Sequence, residues 1–234
     1  ASNAAPVLSR LDELPIVSLY ESPIDQSDVE GLRQLRSKIK KPIALHFGAP
    51  PFQTVARDEA CDGFVIGGGI KMVLHQATLA GAFNKPFFLQ IVGTGITTAL
   101  SLHLGAVLWG AQWPAVNCLN IYSDDLLVTP LEIRGGYARV PEKPGLGIEV
   151  DQDALARYKM EPPYDLPYTN QLLVVKWVDG RKRYYAHVSQ CWKDAHDGNL
   201  PIHEPGVRLE PIPDDGTKEW AEMMARAKQG PVFA

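Results

Sequence analysis

Through the front half of the chain, short apolar runs alternate with longer stretches whose apolar residues recur at helical spacing. Residues 16–20, partly β-branched, predict a buried strand. Asp25 and Ser27 then open a helix in which Val29, Leu32, Leu35 and Ile39 share one face, and Lys41-Pro42 stops it. Residues 42–47 predict the next strand and residues 54–60 a short helix. A third strand, 63–66, ends at Gly67-Gly68-Gly69, and a helix follows over 70–83. Residues 86–92 predict a fourth strand, 96–109 a helix and 118–122 a fifth strand. Strand–helix alternation with such short connections means right-handed βαβ units and a parallel sheet. A closed (β/α)8 barrel needs eight such units; the pattern supplies about five.

From about residue 159 the pattern changes. Residues 172–177 and 184–188 flank Val178-Asp179-Gly180-Arg181, a hairpin signal. Pro201, Pro205, Pro211 and Pro213 punctuate a loop-rich run, and residues 218–228 predict a last helix. The expected fold is α/β. A partial (β/α)8 TIM-type barrel, about its last five βα units, occupies residues 1–158, and a C-terminal β-hairpin/helix appendage occupies 159–234. The open edge of such a barrel has to be covered, by the missing N-terminal part of the barrel or by a second copy.

Composition narrows the function classes. Net charge is −4 and the hydrophobic fraction 45%, ordinary for a globular core. The tightest basic run, Arg181-Lys182-Arg183, is too short to track a phosphate backbone, so no nucleic-acid partner is expected. Residues 86–111 carry no Asp, Glu, Lys or Arg, but Gly93-Thr94-Gly95 divides them. Each part is shorter than the ~20 residues that cross a bilayer, so no membrane span is expected. Cys61, Cys118 and Cys191 are odd in number and widely spaced, which argues against a disulfide framework or a zinc site and fits a reducing cytoplasm. Ser2-Asn3-Ala4 looks like a remnant of tag cleavage.

The densest set of signals lies in residues 130–158. Two short β-like runs flank Gly135-Gly136, then come Pro144-Gly145-Leu146-Gly147 and a capped helix start. Upstream, Tyr20-Glu21-Ser22-Pro23 resembles a strand ending in E-E/Q/D-P, and Pro42-Ile43-Ala44-Leu45 a strand opening in P-I-A. Gly68-Gly69-Ile70 resembles a G-G-I helix start, and Leu102-His103-Leu104-Gly105-Ala106 an HL-x-A helix. In this order, over residues 7–158, the chain resembles the C-terminal barrel domain of the mandelate racemase and muconate lactonizing enzyme family, in the enolase superfamily.

The resemblance implies that residues 16–20 form the fourth barrel strand and 118–122 the eighth. It implies racemase, cycloisomerase or dehydratase chemistry: abstraction of a proton α to a carboxylate, with Mg²⁺ stabilising the enediolate. That ion would sit on carboxylates at neighbouring strand ends. Glu21 falls at the fourth-strand metal position, while His46-Phe47 stands where the fifth strand would end in Glu. The Lys-x-Lys pair of the second strand and the ligand of the third have no place in this chain. The sixth-strand Asp has no counterpart where Ile66 meets Gly67. Gln90 stands at the seventh-strand His position, and Cys118 and Asn120 lie near the eighth-strand Glu. His46, Gln90 and Asn120 are therefore the candidates for catalysis at the barrel mouth, and Glu21 for metal.

The expected ligand is a small carboxylate or another small anion; the alternative reading is a barrel that binds such an anion without turnover, or a structural, oligomerising module. Gly67, Gly68 and Gly69, and Gly93, Thr94 and Gly95, precede helix starts, where backbone N–H groups hold anions; tight turns use the same residues. His75 and His103 lie in predicted helices, His103 on an apolar face. His187, His196 and His203 lack metal spacing. Asp124-Asp125 reads as a solvated turn, and Ser189 and Cys191 lack the His-Asp context of a nucleophile.

Overall fold

A parallel sheet is stable only with both faces covered, and in the first part of this chain helices cover just one. The computed structural model describes residues 1–161, 171–200 and 204–234. They fall into two units, Ala1–Lys159 and Met160–Ala234. In the first unit α1 (Ala4–Leu11) precedes β1 (Tyr20–Glu21). Then come α2 (Val29–Arg36), β2 (Ile43–His46), α3 (Phe52–Asp58), β3 (Gly63–Ile66), α4 (Ile70–Ala82), β4 (Phe87–Leu89) and α5 (Gly95–Val107). The strands pair in parallel in the order β1-β2-β3-β4 and curl into half of a barrel.

Alternation along each strand sorts the side chains. Ile43, Leu45, Phe64, Ile66, Phe87 and Leu89 are buried on the helix side with Leu32, Leu35, Val55 and Val73. Ala44, Val65 and Phe88 lie on the concave side, where Leu19, Trp113 and Val116 close over them. Gly63 makes room for Trp113: a Cβ there would lie 2.5 Å from the indole ring and would strike the Pro86 carbonyl.

Asp12, just after α1, fastens the base of the sheet. It accepts the Tyr20 hydroxyl at 2.8 Å and the backbone N–H groups of Lys40 at 2.6 Å and Lys41 at 3.3 Å. Burial alone would raise the Asp12 carboxyl; these hydrogen bonds outweigh it and hold the group below its usual range. Burial, helped by the bond to Asp12, pushes Tyr20 up to about 12.

Two predicted strands are placed differently. Residues 16–19 are not a strand: Ile16 is 89% exposed, and only Tyr20–Glu21 pairs with β2. No strand forms at 118–122, because Cys118 adopts a left-handed φ of 56° and Leu119–Ile121 is a 3-10 turn. The edge that follows β4 lies a few residues upstream. There Trp113 N–H donates to Phe87 O at 3.3 Å and Val116 N–H to Leu89 O at 2.9 Å, while Gly93 N–H donates to Asn117 O at 3.1 Å. Pro114 has no N–H to give, which suits an irregular edge.

The segment over 130–158 folds as its motifs suggest. Gly135 (φ 58°) and Gly136 (φ 82°) make the turn between β5 (Ile133–Arg134) and β6 (Tyr137–Ala138); a type I′ turn requires positive φ at both positions. His103 donates from Nε2 to the Leu146 carbonyl at 3.2 Å, tying the Pro144–Gly147 motif to α5. Asp151 caps α6 (Gln152–Tyr158) by accepting from the N–H groups of Asp153 and Ala154.

The second unit contains β7 (Gln171–Lys176), β8 (Lys182–Tyr185), α7 (Val188–His196), β9 (Arg208–Pro213), α8 (Lys218–Gln229) and β10 (Val232–Phe233). Its sheet runs β10-β8-β7-β9. Trp220, Met224 and Ala227 of α8 pack with Leu172 and Val232, and Cys191 of α7 packs with Val175, Tyr185 and Leu200. The proline-punctuated run expected to be loop holds strand β9, since Pro211 and Pro213 are tolerated on a sheet edge. The strand expected to reach Val188 stops at Tyr185, and His187 begins the cap of α7. His203 lies outside the described residues. Arg181-Lys182-Arg183 is no basic patch: Arg183 is buried, 2.9 Å from Asp194 and stacked 4.0 Å from the Phe233 ring. Among the described residues no helix is long and apolar enough to cross a membrane.

Two measurements test this packing. Gly63→Ala should destabilise the first unit by about 1–3 kcal/mol in denaturant titrations, because Trp113 and the Pro86 backbone have to move. Asp12→Asn should lower the melting temperature at neutral pH and flatten its fall in acid. The folded-state pKa of Asp12 lies below 3.8, so its stabilisation is present above that value and is lost as pH drops through the folded one. Tyr20 has the opposite sign: its contribution is complete below pH 10 and is lost as pH rises through about 12.

Candidate active site

The alternation that buries Ala44 and Phe88 in the concave face carries His46 and Gln90, two residues further along. It also carries Glu21, the register partner of Ala44. The three side chains meet at the C-terminal ends of the strands. His46 Nε2 lies 3.1 Å from Glu21 Oε1 and 3.2 Å from Gln90 Oε1, and Gln90 Nε2 donates to Glu21 Oε1 at 3.0 Å. Strand β3 runs between His46 and Gln90, and its concave series of Gly63 and Val65 continues to Gly67. No side chain stands there to part them; a Cβ at Gly67 would lie 2.6 Å from the Gln90 carbonyl oxygen.

Ser22 and Gln26 hold the other side of the imidazole. Gln26 Oε1 accepts the Ser22 hydroxyl at 2.6 Å and the His46 backbone N–H at 2.7 Å. Nδ1 of His46 faces Ser22 Oγ at 3.1 Å and Gln26 Oε1 at 3.3 Å. Gln26 Nε2 in turn donates to the Ala49 carbonyl. Ser22 has a φ of 43°, a conformation that costs a non-glycine residue about 1–3 kcal/mol and persists only where its surroundings impose it. Both ring nitrogens face oxygen atoms, Nε2 those of Glu21 and Gln90 and Nδ1 those of Ser22 and Gln26, which fixes the plane of the ring. The side chains of His46 and Glu21 are 49% and 35% exposed, so a solute can reach them.

Other expected site residues are placed elsewhere. Asn120 is exposed in the 3-10 turn and, among the described residues, makes no hydrogen bond to the cluster. The Gly93-Thr94-Gly95 loop already holds an anion from within the chain. Asp125 Oδ1 accepts the N–H groups of Gly95 and Leu126, both at 2.7 Å, while Oδ2 is buried without a hydrogen-bond partner. Its neighbour Asp124 accepts the Tyr158 hydroxyl at 2.8 Å, which holds the Asp124 carboxyl below the usual range. Asp124-Asp125 is thus a fastening between α5 and α6 where the sequence reads as a solvated turn. Gly67-Gly68-Gly69 leads into α4, whose cap residue Gly69 offers no side chain and whose Ile70 and Met72 are exposed.

The Mg²⁺ that the resemblance implies asks for several oxygen ligands. Glu21 is a single carboxylate whose Oε1 takes the Gln90 amide proton and faces His46. Imidazole is a poor partner for a hard cation, and the Gln90 carboxamide oxygen, which could serve one, faces His46 Nε2 at 3.2 Å. Among the described residues no three His, Cys, Asp or Glu side chains converge on a metal position. These residues do not by themselves fit a Mg²⁺ site.

Parallel βα units with a polar cluster at the strand C-termini define half of a TIM-type barrel and its mouth. The chain belongs to the enolase C-terminal domain-like family, whose model matches residues 1–154. Muconate cycloisomerase 1-2 of Acinetobacter lwoffii is 29% identical over 158 residues, 62% of this chain and 40% of that protein. D-gluconate dehydratase of Thermoproteus tenax is 26% identical over 179 residues, 69% of this chain and 34% of that protein. Among solved structures, a mandelate racemase/muconate lactonizing family protein from Azoarcus sp. EbN1 superposes with a TM-score of 0.57 at 26% identity, covering 69% of this chain and 48% of that one. Muconate cycloisomerase from Pseudomonas fluorescens shares the fold, with a TM-score of 0.58 at 24% identity over 68% of this chain and 46% of that one. The chain therefore spans less than half the length of these relatives.

Three residues of the site region escape sequence reasoning. Ser22 and Gln26 act through a loop closure that no spacing announces. Asp125 differs from an ordinary turn acid only in lying after the last sheet edge, where it can reach back to an uncapped helix. Asp125→Ala should destabilise the first unit by about 1 kcal/mol through loss of the α5 cap. Asp125→Asn, which keeps an acceptor for Gly95, should retain most of that stability; denaturation midpoints of the two variants check this.

Proposed function

We propose that Glu21, His46 and Gln90 form a proton-transfer site for a small carboxylate, with His46 as the group that moves the proton. The observation that carries this reading is the contact of His46 Nε2 with Glu21 at 3.1 Å, half-exposed at the strand ends. Barrels of this architecture keep their chemistry at that face. The substrate class is supported by relatives named for muconate and gluconate, both carboxylates.

In this reading His46 Nε2 takes the proton from the carbon α to the carboxylate, and the electron pair left behind enters the carboxylate as an enediolate. The same nitrogen returns a proton to that carbon. Glu21 stabilises the imidazolium formed in the first half, and Ser22 and Gln26 keep the ring from turning. Gln90 does not exchange protons near neutral pH; its amide orients the carboxylate. The open edge at β1 is covered in the working protein, by further barrel strands or by a second copy.

Exchange of the α-proton in deuterium oxide, followed by proton NMR over a panel of 2-hydroxycarboxylates and unsaturated dicarboxylates, tests the site. Incorporation of deuterium into at least one acid is expected. His46→Gln should slow it by about 100-fold or more, the range that general acid–base catalysis supplies, with the melting temperature kept. Absence of exchange across the panel, or an unchanged rate in His46→Gln, would exclude the reading.

A further inference from the structure

At the end of the sheet opposite the Glu21–His46–Gln90 cluster lies a hollow. Its volume is about 680 Å³, well within the range of small-molecule sites. Four cations line it, Arg33, Arg36, Lys40 and Lys41, against two anions, Glu59 and Asp62, and Trp113 adds an aromatic wall.

The cationic wall is built before any ligand arrives. Asp62 holds the Arg36 guanidinium at 3.0 Å from Nε and 2.5 Å from Nη2, and the Glu59 carbonyl accepts from Nη1. The second Asp62 oxygen takes the Ile43 backbone N–H at 2.8 Å, so this carboxylate is fully engaged within the wall. The Lys40-Lys41 backbone is pinned by Asp12. Among the described residues neither lysine ammonium lies within ion-pair distance of a carboxylate; Lys41 feels the charge of Asp12, and both ammoniums line the cavity. Trp113 is wedged against Gly63, so its ring is fixed as well.

We propose that this cavity is a second binding site, for a small organic anion that carries two or more negative charges and a flat apolar body. Asp62 answers Arg36 and Glu30 answers Arg33, so the Lys40 and Lys41 ammoniums select the charge, and the indole wall selects the flat body. Pro42 at the cavity and His46 at the mouth stand on one strand, about 13 Å apart at ~3.3 Å per residue. A ligand bound here does not touch the proton-transfer site, and the proposal stands independently of it.

Phenyl phosphate is the probe, with inorganic phosphate and phenol as the two halves of its chemistry. Each is titrated into the ¹⁵N-labelled chain, and the Trp113 indole N–H signal, identified by its loss in Trp113→Phe, is followed by NMR. Phenyl phosphate should shift that signal saturably and bind more tightly than either half. Lys40→Ala with Lys41→Ala should weaken binding by about tenfold or more through loss of charge-assisted contacts. The Asp12 bonds to the backbone survive these changes, so the melting temperature should hold. No saturable shift, no preference over the two halves, or unchanged affinity in the double variant would overturn the proposal.

Discussion

The concave face of the four-stranded sheet is the constraint on which the first unit depends. Helices bury the convex side, but a parallel sheet left bare on the other would expose the apolar layer of Ala44, Val65 and Phe88. Trp113 answers this, inserted over Gly63 from the segment that continues past α5. That insertion explains why the edge after β4 is irregular: residues 113–117 both pair with β4 and cover its face. It also explains the conformation of Cys118, where the chain leaves the sheet.

The polar mouth follows from the same alternation. Once Ala44 and Phe88 face inward, the next inward positions are His46 and Gln90, and Gly67 leaves the space in which they meet. The charge logic of the mouth differs from that of a metal site. One carboxylate faces an imidazole and a carboxamide, so its Oε1 is engaged by side chains of the protein.

Strand and helix order in the first unit was readable from periodicity, because each buried strand is a short apolar run between glycines and prolines. What failed did so where tertiary contacts override local pattern. Residues 16–19 look like a strand because they are apolar and β-branched, yet Ile16 projects into solvent. Residues 118–122 look like one because the turn at Cys118 has no glycine to mark it. At the site, Glu21, His46 and Gln90 could be singled out by their positions at strand ends. Their mutual contact could not, since it rests on a register across three strands. The cations of the second cavity were also hidden: Leu35 and Ile39 interrupt Arg33, Arg36, Lys40 and Lys41 along the chain, and only the turn of α2 and its exit loop gather them.

The carboxylates of the first unit separate structural from chemical roles. Asp12 collects the backbone of Lys40 and Lys41, Asp28 caps α2, Asp62 holds Ile43 and Arg36, Asp125 caps α5 and Asp151 caps α6. Each accepts backbone N–H groups that would otherwise lack partners, and such bonds fix a loop or a helix start. Glu21 differs from all of these. Its partners are the side chains of His46 and Gln90, it stands at a strand end open to solvent, and no helix or loop terminus depends on it. A carboxylate in that position adds little to the fold, and among the described residues His46, which reaches it with Nε2, is the titratable partner through which it can act.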